Sequence, residues 1–237
     1  MDKLLRFSDY DIFTYLASGF AAFAGWDLLF STRYVIGAQW SVSSGTIAIV
    51  AAYVIGQILA SPAAWLIERQ LVRRALGRPA EVLMRTEPLR RWRKWAARFT
   101  LTEYYTPLEA SLAERLRTFM TSKGISSSEG LFWLAFSVAK SSPAATARMD
   151  AFLRLYGFCR NMAFVALITG IGLFTKLILH WRTIGWDDAA EVMAAYSVAS
   201  LLVAFGMLLR YLKFYRLFSV EVLVTFANSL EQEPTRA

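Results

Sequence analysis

Four stretches of this chain, residues 12–30, 46–66, 162–179 and 192–209, are apolar over close to 20 residues each. That is the length an α-helix needs to cross about 30 Å of hydrocarbon at about 1.5 Å per residue. Composition points the same way, with 56% hydrophobic and 19% charged residues and a mean hydropathy of +0.39, outside the range of ordinary soluble domains and of disordered chains. The stretches differ in their polar interruptions. Asp27 breaks the first, Gln57 and Pro62 stand in the second, Lys176 lies near the end of the third, and the fourth is clean.

The N-terminus imitates a secretory signal, with Lys3 and Arg6 ahead of the apolar run and Ala22-Phe23-Ala24 resembling a cleavage site. Asp9 and Asp11 are poor company for such a segment, so residues 12–30 are read as a first span. Orientation follows from the basic residues in the connections. Residues 67–153 carry fifteen Lys and Arg, whereas residues 31–45 carry only Arg33. Arg69, Arg73 and Arg74 follow the second stretch closely, and Arg210, Lys213 and Arg216 follow the fourth. Both termini are therefore expected in the cytoplasm. The expected fold is all-α: a polytopic membrane protein with spans 1 and 2 in residues 1–66, a helical cytoplasmic insert over 67–155, spans 3 and 4 over 156–209, and a helical cytoplasmic tail over 210–237.

Helix signals are clear in the insert. Thr106-Pro107-Leu108-Glu109 places Thr at the N-cap, Pro at N1 and Glu at N3 of a helix that should end near Gly124. Ser127 or Ser128 with Glu129 opens a second helix closing near Lys140, and Ser142-Pro143 opens a third with no stop signal before the third apolar stretch. The tail from Arg210 to Ser229 continues the apolar periodicity of the fourth stretch inward. Small residues at four-residue spacing, Ala52, Gly56 and Ala60 in the second stretch, Ser18 and Ala22 in the first, and Ala195 and Ala199 in the fourth, allow close helix packing, expected mainly within one chain.

One Cys, Cys159, and one His, His180, exclude a disulfide framework and a zinc site of several Cys and His. No phosphate-binding loop, nucleophile elbow or dinucleotide glycine pattern is present, and Glu68, Glu81, Glu103 and Glu109 are scattered. No catalytic residue, metal or cofactor is expected. Asp27 is a candidate selectivity residue of a pore, since a carboxylate within a bilayer usually faces water or a partner; the plainer alternative is a solvated interfacial carboxylate near Arg33. Gln57, Thr169 and Thr175 could line the same path. Arg90-Arg91-Trp92-Arg93-Lys94-Trp95 with Arg98 interleaves five cations with indoles, a pattern suited first to anionic lipid and second to an oligonucleotide whose bases stack on Trp. Arg73, Arg74 and Arg78 could extend that ligand-binding surface.

Phe7-Ser8-Asp9-Tyr10-Asp11, the run from Leu71 to Pro79, and Leu155-Tyr156-Gly157-Phe158-Cys159-Arg160-Asn161 resemble a family of small bacterial four-span proteins. Paired spans around a basic helical insert are also similar to membrane effectors of bacterial antiphage systems, the Hailong effector channel in particular. That resemblance implies a homo-oligomeric, tetrameric ion channel of the bacterial inner membrane. It also implies control by a nucleotide or oligodeoxyadenylate from a partner nucleotidyltransferase. A lipid-interacting accessory subunit or an interfacial enzyme of a membrane complex is the alternative.

Overall fold

The computed structural model describes residues 12–35, 40–99 and 101–232. Lys3, Arg6, Asp9 and Asp11, weighed above as a signal flank, and the motif at residues 7–11 lie outside them. All regular structure among the described residues is helical. A π-helical Ile12–Leu16 leads into α1 (Ala17–Phe30), and α2 (Val42–Ala63) continues as a π-helical Ala64–Leu76. The short helices α3 (Pro79–Leu83), α4 (Arg91–Phe99) and α5 (Thr102–Tyr105) follow, then α6 (Ala110–Lys123), α7 (Ser128–Ala139), α8 (Pro143–Thr183) and α9 (Asp188–Gln232). The chain divides into two compact units, one of Met1–Gln70 with Gly157–Arg210, the other of Leu71–Tyr156 with Tyr211–Ala237.

Three helices are long and apolar enough to cross a membrane, lying within Val42–Leu83, Pro143–Thr183 and Asp188–Glu231, with mean hydropathies of 1.9, 2.1 and 2.1 over their best windows. The remaining apolar stretch, residues 12–30, forms the π-helical turn and the 14-residue α1. By itself α1 rises only about 21 Å. The length and apolarity of three helices support a membrane-embedded protein.

In the first unit, local chemistry starts α2 cleanly. Ser41 caps it, its hydroxyl accepting from Ser44 N at 3.2 Å while Ser44 Oγ accepts from Ser41 N at 2.8 Å. Pro62 near its end offers no N–H, and the chain beyond passes into i→i−5 bonding that finishes with Gly77 N donating to Val72 O at 2.8 Å. Ala52 and Gly56 are buried on α2. A Cβ on Gly56 would collide with the Tyr15 carbonyl, and one on Gly19 with the Ala52 carbonyl. The two backbones therefore touch through small residues, as the four-residue spacing predicts. On α8 and α9, buried Ser197 donates to Gly170 O at 2.9 Å, and Lys176 Nζ donates to Leu29 O at 2.9 Å. Arg160 pairs with Glu68 at 3.3 Å, both largely shielded from solvent.

The second unit has its own apolar core. Leu83, Leu116, Leu131, Met149, Val222 and Leu223 are fully or almost fully buried there, with Phe226 beside them. Phe119 meets Phe226 edge to face, with ring centroids 5.1 Å apart. Gly124, at φ 67°, ends α6, and Ser127 caps α7 by accepting from Gly130 N at 3.0 Å. Those boundaries, the start of α8 at Pro143 and the unbroken run of α9 to Gln232 agree with the sequence signals.

One boundary differs. The helix expected from Thr106 begins instead at Ala110, with Glu109 extended before it. The intervening backbone is committed elsewhere: Leu108 N donates to Leu83 O at 3.0 Å, and Thr106 O accepts from Arg216 Nη2 at 3.0 Å. Tertiary hydrogen bonds have overridden a local capping box, and Thr106 follows the single turn of α5.

Candidate functional site

Two groups of polar residues stand out, one in each unit. In the first unit Asp27 lies near the C-terminus of α1 and is 5% exposed. Its carboxylate accepts from Thr32 Oγ1 at 2.6 Å, Tyr34 N at 2.9 Å and Val35 N at 2.6 Å. Its carbonyl accepts from Ser31 N at 2.7 Å, where Ser31 adopts φ 57° and ends the helix. The side chain thus organises the segment that leaves α1, with its oxygens turned toward donors of the same loop. Arg33 is exposed at φ 60°.

Gln57 is placed differently. Thr46, Tyr53, Gln57 and Ser61 fall within an arc of about 80° along α2 at 100° per residue. Thr46, Gln57 and Ser61 are exposed and Tyr53 is half-buried, with Gln57 Nε2 donating to Tyr53 OH at 3.0 Å. The middle of this seam lies about 120° around α2 from Ala52 and Gly56, with exposed Val50 inside the same arc and Tyr53, at its near edge, meeting Tyr15 edge to face at 6.2 Å. Thr169, by contrast, is 8% exposed, and Thr175 bonds back to Ile171 O at 2.9 Å.

In the second unit, α4 carries the Arg and Trp pattern. Arg93 is half-buried, and its Nε and Nη2 donate to Ala75 O at 2.9 and 2.6 Å. Tyr105 OH donates to Leu76 O at 3.1 Å, and Tyr104 OH donates to Gly77 O at 2.6 Å. Three consecutive carbonyls at the end of the π-helical segment, left open by helix geometry, thereby gain side-chain donors. Gly77 closes that end at φ 90°, a conformation glycine adopts without steric cost. Burial pushes the Tyr104 phenol well above its ordinary pKa, which keeps it a donor. Tyr104 and Tyr105 carried no sequence signal for this role, and only the Gly77 turn hinted that a helix end there needed partners.

Arg93→Ala is expected to strip both donors from Ala75 O and to lower stability by about 1–2 kcal/mol. Lysine should restore part of that, since it lacks the planar two-donor fork. Thermal unfolding of the detergent-solubilised chain measures both.

Arg73, Arg74, Arg90, Arg91, Lys94 and Arg98 are exposed. The side chains of Arg90, Arg91, Lys94 and Arg98 form no hydrogen bond or ion pair with a described residue. A cavity of about 210 Å³ beside α4 is lined by Gly77, Arg85, Arg90 and Arg93, but also by Glu81 and Glu87.

The remaining carboxylates are dispersed. Glu68 pairs with Arg160, Glu103 with Lys213 at 3.5 Å, Glu81 accepts from Arg78 N at 3.3 Å, and Glu109 accepts from Ser111 Oγ at 3.1 Å. No group of three metal-ligating side chains occurs among the described residues. Cys159 is buried, and His180 Nε2 lies 2.8 Å from Asp187 Oδ1, which also accepts from Ala190 N at the start of α9. Those two contacts, the backbone one foremost, hold the Asp187 carboxyl below its ordinary pKa.

No protein-family model, curated protein or solved structure matches the chain.

Proposed function

We propose that the protein is a homo-oligomeric membrane channel without catalytic activity, whose copies bring the α2 seams together around an ion path. Exposed Thr46, Gln57 and Ser61, aligned with half-buried Tyr53 on a helix long enough to span a bilayer, are the observation that carries this reading. Gln57 Nε2 reaches Tyr53 OH on its own helix, but hydrocarbon offers the rest of the amide no hydrogen-bond partner, and water or another polar surface would supply one. The first apolar segment packs on the Ala52 and Gly56 side of α2 and meets Tyr53 at the seam's edge, which leaves exposed Thr46, Gln57 and Ser61 to a water-filled path or a neighbouring copy. In this reading residues 12–30 supply the remaining span, giving four. Both termini face the cytoplasm of a bacterial inner membrane, with Arg69, Arg73 and Arg74 held there by the positive-inside bias. Asp27, engaged by its own loop, would influence permeation through the fixed negative charge it adds near one mouth.

Single-channel recording of the purified chain in planar bilayers tests the proposal. Discrete conductance is expected from the wild type, with Gln57→Leu reducing unitary conductance about tenfold while the oligomer persists. A tenfold loss corresponds to about 1.4 kcal/mol of added barrier, within reach of removing one polar group per subunit. A silent wild type that runs as a monomer in native mass measurement would favour an accessory subunit whose seam packs on a different protein.

A further inference from the structure

We propose that α4 is a membrane-surface anchor, held to its unit by Arg93 and presenting Trp95 with Arg91, Lys94 and Arg98 to the headgroups of anionic lipid. The assignment follows from how the helix is oriented. Arg93 is tied by two hydrogen bonds to Ala75 O, and its guanidinium lies 5.6 Å from the Trp92 ring centroid. At 100° per residue, the direction opposite Arg93 falls between Trp95 and Arg91, with Arg98 about 40° from it and Lys94 and Trp92 flanking at about 80° on either side. The exposures agree: Trp92, nearer the tether, is 46% exposed and Trp95 is 68% exposed.

The chemistry of that outer face selects its occupant. An indole is a large apolar surface with one N–H, stable where one end is apolar and the other wet. From Pro88 to Thr102 the chain has five cations and no carboxylate, so the partner is anionic. A second copy docking through the same face would set these cations against their own equivalents. A nucleic-acid strand extending off α4 over the neighbouring cavity would meet Glu81 and Glu87 on its wall. Anionic phospholipid satisfies both requirements at once, because Trp enters the acyl boundary while Arg and Lys stay with the phosphates. The sequence leads to α4 from an apolar helix through Arg69, Arg73 and Arg74, the basic signature of a cytoplasmic membrane face.

The test uses the full chain labelled with 5-fluorotryptophan and reconstituted in nanodiscs, the Trp95 fluorine resonance being assigned by its loss in Trp95→Phe. Lipid spin-labelled at the headgroup is added to discs containing phosphatidylglycerol and to discs of phosphatidylcholine alone. Paramagnetic broadening of Trp95 is expected only with phosphatidylglycerol. The double variant Arg91→Gln with Arg98→Gln should lower the docked-to-undocked ratio about 30-fold, at about 1 kcal/mol per removed charge near the surface. Because both side chains are exposed, unchanged Trp95 chemical shift in phosphatidylcholine discs will show that this variant still folds. Equal broadening in the two lipids, or none in either, overturns the proposal. Relief of the broadening by added single-stranded oligodeoxynucleotide overturns it in favour of nucleic acid.

Discussion

Replacing Gly56 by leucine is expected to separate α1 from α2 and to destabilise the first unit by about 3 kcal/mol or more. The obstacle is backbone. A Cβ at position 56 would overlap the Tyr15 carbonyl, and a carbonyl within a helix has no rotamer into which it can retreat. Overpacking a well-filled interior ordinarily costs about 1–3 kcal/mol, and the upper part of that range applies where main chain must shift. The same close approach recurs one turn of contact away, where Gly19 meets the Ala52 carbonyl, so strain at Gly56 is transmitted to both contacts. Gly56→Ala should be milder than Gly56→Leu but still destabilising. Urea or thermal unfolding in detergent micelles, followed by circular dichroism, gives the size of the loss. Wild-type stability in Gly56→Leu would show that the helices are farther apart than described.

Truncating Phe226 to alanine is expected to cost about 4 kcal/mol, the typical penalty for emptying a buried aromatic site. The ring is 3% exposed and stands edge to face with Phe119 in the core that joins α6, α7, the start of α8 and the end of α9. An edge-to-face pair contributes about 0.5–1.5 kcal/mol beyond area burial, so Phe119→Ala should cost less, Phe119 being only partly buried. A double-mutant cycle on Phe119 and Phe226 isolates that pair term. Near-additive losses would mean that the rings share a core without specific coupling.

Local signals were readable wherever the structure uses local bonds. Gly124, Ser127 and Pro143 fixed helix ends in the sequence because each acts within four residues of its own position, by positive φ, by a hydroxyl cap or by a preset φ. The uninterrupted α8 and α9 were readable for the complementary reason, the lack of a stop signal. Thr106 misled because Leu83 O, twenty-five residues upstream, captures Leu108 N, and no local pattern encodes that. Arg93 was read with the other cations of its segment; its partner Ala75 O lies 18 residues away, beyond any helical spacing. Asp27 drew attention as a carboxylate in an apolar run, but its donors come from Thr32, Tyr34 and Val35, whose order depends on the turn at Ser31. Gln57 was recognisable by type alone. Its membership of a seam with Thr46, Tyr53 and Ser61 depends on which side of α2 is buried, and the close contacts of Ala52 and Gly56 set that side.

The central claim is that the α2 seam faces water at membrane depth, and thiol accessibility at position 57 tests it most directly. With Cys159→Ser as background, Gln57→Cys and, on the apolar exposed face of α9, Phe205→Cys are reconstituted in liposomes and treated with a membrane-impermeant thiosulfonate. Only a thiol that meets water ionises and reacts. The account expects Cys at position 57 to be modified and Cys at position 205 to stay unreactive; protection at both positions, with full modification after detergent is added, would contradict it.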